Sequence, residues 1–118
     1  MLSLPEPVKI FLYTQPTDMR KGFDSLAALI QAELGMDPLL GHLFVFKSRR
    51  GNRVKLLLWD QDGWCLVYKR LEQGSFRFPA ATSETRSVTV SHQELSLLLW
   101  GIDPASVRRQ RRYTRPAG

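Results

Sequence analysis

The spacing of apolar positions changes several times along this chain, and each change marks a predicted element. Lys9-Ile10-Phe11-Leu12-Tyr13 is short, apolar and rich in strand formers, and Pro16 closes it. Asp18 opens a polar turn through Met19, Arg20 and Lys21. From Gly22 to Leu34 the residues Phe23, Leu26, Ala27, Leu29, Ile30 and Leu34 recur at helical spacing, which predicts one amphipathic helix. Gly35 is placed to terminate it, and Pro38 forbids continuation.

The pattern then switches to strands. His42 to Lys47 contains Leu43, Phe44, Val45 and Phe46, and Arg49-Arg50-Gly51-Asn52-Arg53 supplies a bend. Val54 to Asp60 forms the second arm of that hairpin, with Val54, Leu56 and Leu58 on one face and Lys55, Leu57 and Trp59 on the other. Asp60-Gln61-Asp62-Gly63 is a tight-turn signal, and Trp64 to Arg70 returns as a third strand of an antiparallel meander. Gly74 breaks the pattern, Phe76-Arg77-Phe78 alternates before Pro79, and Ala80 to Arg86 is a small, polar loop. Ser87 to Val90 is a short strand. Ser91-His92-Gln93-Glu94 then has the form of a capping box before Leu95, Leu97, Leu98 and Leu99, so a second helix runs from about His92 to Trp100.

The order strand, helix, meander, strand, helix predicts an α+β fold, a mostly antiparallel sheet with its helices on one face. One domain is expected over residues 1–103, followed by a flexible basic arm over 104–118. Three Trp, three Tyr and six Phe are enough to build its core.

Charge adds the first functional signal. Seventeen Lys and Arg against eleven Asp and Glu leave a formal +6, a field that favours phosphate backbones, anionic membranes or an acidic partner. The lone Cys65 forbids an internal disulfide and a multi-cysteine metal site, and its apolar neighbours predict an inert thiol. Met1 to Val8 lacks the charged and apolar regions of a signal peptide, and no window matches the roughly 20 apolar residues of a membrane span. A cytoplasmic location with no membrane partner is therefore expected.

Groups for bond-making are sparse. His42 and His92 have no metal-ligand companion at usable spacing, and structural or exposed roles suit both. Asp60, Asp62 and Glu72 raise a metal-dependent nuclease reading, against which both aspartates suit the turn before Gly63. Neither Arg50-Gly51-Asn52 nor Gln73-Gly74-Ser75 makes a phosphate loop. No catalytic residue, metal or cofactor is assigned.

The basic clusters are more informative. Arg20 and Lys21 precede a helix, Lys47, Arg49, Arg50 and Arg53 crowd a hairpin tip, and Lys69 and Arg70 end a strand. A two-stranded ribbon fits a DNA groove, so the tip suits phosphate contact as well as a solvated surface. The tail arginines Arg108, Arg109, Arg111 and Arg112 suit an arm that orders on a polyanion or an acidic partner. Trp59, Trp64, Tyr68, Phe76 and Phe78 suit either a core under the helices or stacking on bases.

Several motifs, in order, carry a family resemblance. Pro16-Thr17-Asp18-Met19-Arg20-Lys21-Gly22 with Leu26-Ala27-Ala28-Leu29 comes first, then Leu43-Phe44-Val45-Phe46 with Arg49-Arg50 and Lys55-Leu56-Leu57. Trp59-Asp60-Gln61-Asp62-Gly63, Tyr68 to Gly74, Phe76-Arg77-Phe78-Pro79 and Leu97 to Asp103 continue it. This series resembles the small accessory protein (TnpB type) of the insertion sequence sixty-six transposon family, from Ile10 to Asp103 and short of the arginine tail. The resemblance implies a non-catalytic aid to DNA transposition, encoded beside a separate transposase that carries the strand-transfer chemistry. The expected partners are DNA at the transposon ends, the transposase subunit, or both. An adaptor without DNA contact is the alternative.

Overall fold

Alternating side chains let a strand bury one face or both, and here the central strands bury both. The computed structural model describes residues 7–79 and 85–100, together with the backbone of 102–103 and 108–109. Strands β1 (Ile10–Tyr13), β2 (Leu43–Lys47), β3 (Arg53–Asp60), β4 (Gly63–Arg70) and β5 (Ser87–Val90) form one sheet in the order β4-β3-β2-β1-β5. Only the β1–β2 pair is parallel, with Ile10 opposite Leu43. The other three pairs are antiparallel, so the α+β fold and mostly antiparallel sheet hold.

Helix α1 (Phe23–Leu29) makes the crossover between the parallel strands and widens into a π-helical turn over Ile30–Leu34. Gly35 ends it at φ 61°, a left-handed conformation that costs glycine little. Helix α2 (His92–Leu99) starts from a complete capping box. Ser91 Oγ accepts from the Glu94 amide at 3.0 Å, and the Ser91 amide donates to Glu94 Oε1 at 3.0 Å.

The helices lie on opposite faces of the sheet, which corrects the expectation of a single helical face. Leu26 of α1 and Ile30 of its π-helical turn pack with Phe44, Phe46 and Leu57, while Leu95 and Leu98 of α2 pack with Leu43, Val45 and Leu56. The cause is the unbroken apolar runs at 43–46 and 56–58. Such strands present a greasy surface on both sides, and one covering layer would leave the other side wet. Phe44, Phe46 and Leu57 are at most 1% exposed, and each such side chain contributes roughly 1.5–3 kcal/mol of transfer free energy.

Past α2, the backbone of β6 (Ile102–Asp103) pairs antiparallel with β7 (Arg108–Arg109), a pairing that sequence patterning did not signal. Residues 80–84 of the expected loop lie outside the described residues, as does the arm apart from the backbone at 108–109. Among the described residues no helix is long and apolar enough to cross a membrane.

Candidate nucleic-acid interface

The β2–β3 hairpin brings basic residues from three separate stretches of sequence to one end of the sheet. Its tip turns through Ser48 to Asn52, with Gly51 at φ 78° and the Gly51 amide on the Ser48 carbonyl at 3.0 Å. The Asn52 and Gly51 carbonyls accept the amides of Leu71 and Phe76, each at 2.8 Å, so the segment after β4 braces the tip. On the other side the Thr17 amide donates to the Lys47 carbonyl at 2.8 Å, which brings in the stretch before α1.

Within this end the candidate residues differ in what they touch. Arg49 and Arg50 are exposed at the tip, and neither forms an ion pair among the described residues. Arg53 and Arg70 face each other across β3 and β4. Arg53 donates to the Tyr68 hydroxyl at 3.3 Å, and Arg70 is paired with Glu72 at 2.8 Å. With Tyr68 and Glu72 they line an open recess of ≈ 450 Å³. Arg20 is held by Asp18 through Nη2 at 2.7 Å, and that side-chain hydrogen bond draws the Asp18 carboxyl down to about 2. Lys47 and Lys69 project to the α2 face. Lys47 Nζ stands 5.3 Å from the centre of the Phe78 ring, and Lys69 Nζ donates to the Leu99 carbonyl at 2.7 Å beside Trp100. The side chains of Arg108 and Arg109, and all of Arg111 and Arg112, lie outside the described residues.

Lys55 belongs to the same end, although its charge pattern in the sequence did not single it out. It is 7% exposed, its Nζ donates to the Lys21 carbonyl at 2.6 Å, and it sits 4.8 Å from the centre of the Tyr68 ring. A lysine inside the apolar run 54–58 was the available signal, because a charge is buried there only when the fold supplies polar partners. Here the entrance to α1 supplies one.

The sequence pattern of the IS66 Orf2 like protein family matches residues 8–109. The chain belongs to the IS66 Orf2-like family. Two relatives from Sinorhizobium fredii (strain NBRC 101917 / NGR234) extend the finding. The uncharacterized protein y4hO is 44% identical over 103 residues, covering 87% of this chain and 88% of the relative. The uncharacterized protein y4jC is 36% identical over 110 residues, covering 93% and 92%. No solved structure matches the chain. Membership makes this a transposition-associated accessory protein, and the match reaches past Asp103 to take in Arg108 and Arg109.

The acids of this IS66 Orf2-like chain are kept apart by its strands. Asp60 and Asp62 flank the β3–β4 turn, where Gln61 takes φ 53°, whereas Glu72 lies past the far end of β4. Eight residues of strand separate them by roughly 24 Å at ~3.4 Å per residue, so they form no joint ligand set. Among the described residues no group of three or more His, Cys, Asp or Glu could hold a metal. The aromatics divide in the same way. Phe76 is buried, Trp64 and Phe78 pack against the two cores, and Tyr68 remains 49% exposed.

The end of the sheet with the Asp60 turn differs in character. Val8, Leu39 and Leu40 are 68%, 50% and 58% exposed around a recess of ≈ 300 Å³ that Trp59 and Asp60 also line. His42 stacks edge-on against Phe11 at 5.2 Å, and its buried Nδ1 has no hydrogen-bond partner among the described residues. Burial, followed by the nearby Lys9 charge, holds the His42 pKa below its ordinary 6.5.

Proposed function

We propose that this IS66 accessory chain holds transposon DNA by its basic sheet end and leaves bond-making to the transposase. The observation that carries this reading is the pair Arg49 and Arg50. They project from a tip braced by backbone hydrogen bonds on both sides, and no carboxylate among the described residues neutralises them. Unneutralised guanidiniums that meet a phosphate backbone release its counterions, so affinity falls steeply with salt. Lys21 and Arg53 extend the basic surface on the α1 face, and Lys47 and Lys69 extend it on the α2 face.

The test is the triple variant Arg49→Ala, Arg50→Ala and Arg53→Ala. It weakens binding to all DNA sequences alike and flattens the log-affinity against log-salt slope by about 3, one for each phosphate that no longer meets a guanidinium. Undiminished affinity in the triple variant removes the hairpin from the interface.

A second reading, an adaptor that grips the transposase without touching DNA, draws on the other end of the sheet. Three exposed aliphatic side chains around one recess suit a protein partner. An adaptor stays with the transposase through nuclease treatment, and a complex that dissociates on digestion was bridged by nucleic acid.

A further inference from the structure

Tyr68 has surroundings unlike those of the other sheet aromatics. It lies on the α1 face, in line with Trp64 and Leu66, but those two are drawn into the core beneath α1. Tyr68 is beyond that cover and keeps 49% of its surface in solvent, on a strand that is itself the edge of the sheet. Apolar ring surface left in water on a regular strand costs free energy that an inward-facing residue would not incur.

The ring is also immobilised. Its hydroxyl takes the Arg53 guanidinium at 3.3 Å, and the Lys55 ammonium lies 4.8 Å from its centre. Lys55 is in turn tied to the Lys21 carbonyl at 2.6 Å. Only one ring face is covered by the lysine. Arg53 and Arg70 stand beside it on paired positions, and the three share one open recess with Glu72. A held aromatic ring beside the Arg53 guanidinium, which no carboxylate among the described residues neutralises, matches a nucleotide, whose flat base stacks and whose adjoining phosphate takes the charge. Bases inside a duplex have both faces occupied, so an isolated ring on an open sheet gains nothing from paired DNA.

We infer that Tyr68 is a stacking platform for an unpaired nucleobase, with Arg53 on the adjoining phosphate, so that this end of the sheet takes single-stranded DNA. The inference rests on the reading of the basic end as a DNA interface and names the form of DNA it holds.

The test compares a single-stranded oligonucleotide with a duplex of the same sequence by fluorescence anisotropy across a salt series, using the full chain. Tyr68→Leu keeps an apolar side chain over Lys55 and removes the ring, while Tyr68→Phe keeps the ring and removes only the hydroxyl. Tyr68→Leu lowers single-strand affinity by roughly 5- to 100-fold and leaves both duplex affinity and the salt slope unchanged. Tyr68→Phe stays close to wild type on both ligands, and thermal melts of the two variants show that the fold is retained. Arg53→Ala lowers both affinities and reduces the slope by about 1. Equal loss on both ligands, or no loss, for a folded Tyr68→Leu protein overturns the platform and leaves the DNA-holding reading standing. If the wild type binds neither ligand at low salt, that reading falls and the platform falls with it.

Discussion

Strand β3 begins at Arg53 and ends at Asp60, and the two ends it joins have opposite chemistry. At the first, backbone hydrogen bonds from the segments before α1 and after β4 brace a tip that offers Arg49 and Arg50 to solvent. At the second, Asp60, Gln61 and Asp62 turn the chain beside Val8, Leu39 and Leu40, which expose apolar surface. A single net charge of +6 describes neither. Five of the basic residues behind that figure, Arg108, Arg109, Arg111, Arg112 and Arg115, follow the five-stranded sheet in sequence, whereas the two ends differ locally, one offering guanidiniums and the other aliphatic surface. On the proposed reading, the two ends of β3 would meet DNA and a protein partner at separate surfaces.

Variants that alter one end should leave the other intact. Reversing charge at the tip, Arg49→Glu with Arg50→Glu, has the largest expected effect, a loss of roughly 100-fold or more in DNA affinity at low salt, with transposase association unchanged. Anisotropy and a nuclease-treated pulldown read the two arms, and parallel loss in both would merge the ends into one surface. Placing carboxylates on the apolar recess, Leu39→Asp with Leu40→Asp, reduces transposase capture by roughly tenfold while DNA binding holds. A change remote from both ends sets the baseline. Ser91→Ala breaks the capping box of α2 and costs about 1 kcal/mol in urea unfolding, with neither binding function altered.

The pH responses separate the ends more finely. At the apolar end the lowered His42 pKa means that the unfolded chain takes up the proton first. Stability is full above about 6.5 and declines as pH falls from there through the lowered folded value. His42→Leu removes that stretch of the urea-midpoint profile, and an unchanged profile would assign the slope elsewhere. The smallest effect belongs to the basic end. The Asp18 carboxyl titrates near 2 because of Arg20, so its contribution is present above 3.8 and lost as pH falls through about 2. Both groups are exposed and solvent screens the pair. The readout is therefore the Asp18 side-chain carboxyl shift followed by NMR against pH, whose midpoint moves back towards 3.8 in Arg20→Ala.

Local chemistry made the elements legible. The spacing of Leu26 and Ile30, Gly35 as a stop, the Ser91–Glu94 box and the Asp60–Gly63 turn all operate within a few residues, and each element lies close to where patterning placed it. What depends on distant partners was harder to read. The runs at 43–46 and 56–58 signalled burial on two sides, but only the pairing of β1 between β2 and β5 puts α1 and α2 on opposite faces. The candidate site was legible as charge and not as arrangement. Sequence gathered Arg20, Lys69 and Arg70 with Arg49 and Arg50, whereas the fold occupies the first three with Asp18, the Leu99 carbonyl and Glu72. Lys55 was hidden, and Tyr68 stood undistinguished among five aromatics suited to core or stacking, because their pairing arises from a cross-strand register that no local window contains.

The position of β1 also governs how this protein is made. Its antiparallel neighbour β5 comes 80 positions later in the chain, with Ile10 pairing Val90. On the ribosome the β2–β4 meander can close from neighbouring segments, while β1 waits with one edge bare until residues 87–90 emerge. A nascent chain halted before Ser87 presents Ile10–Tyr13 as an uncapped ribbon, open to pairing with any other stalled copy. Loss of the chain from Ser87 onward therefore yields an aggregating fragment rather than a smaller working subunit.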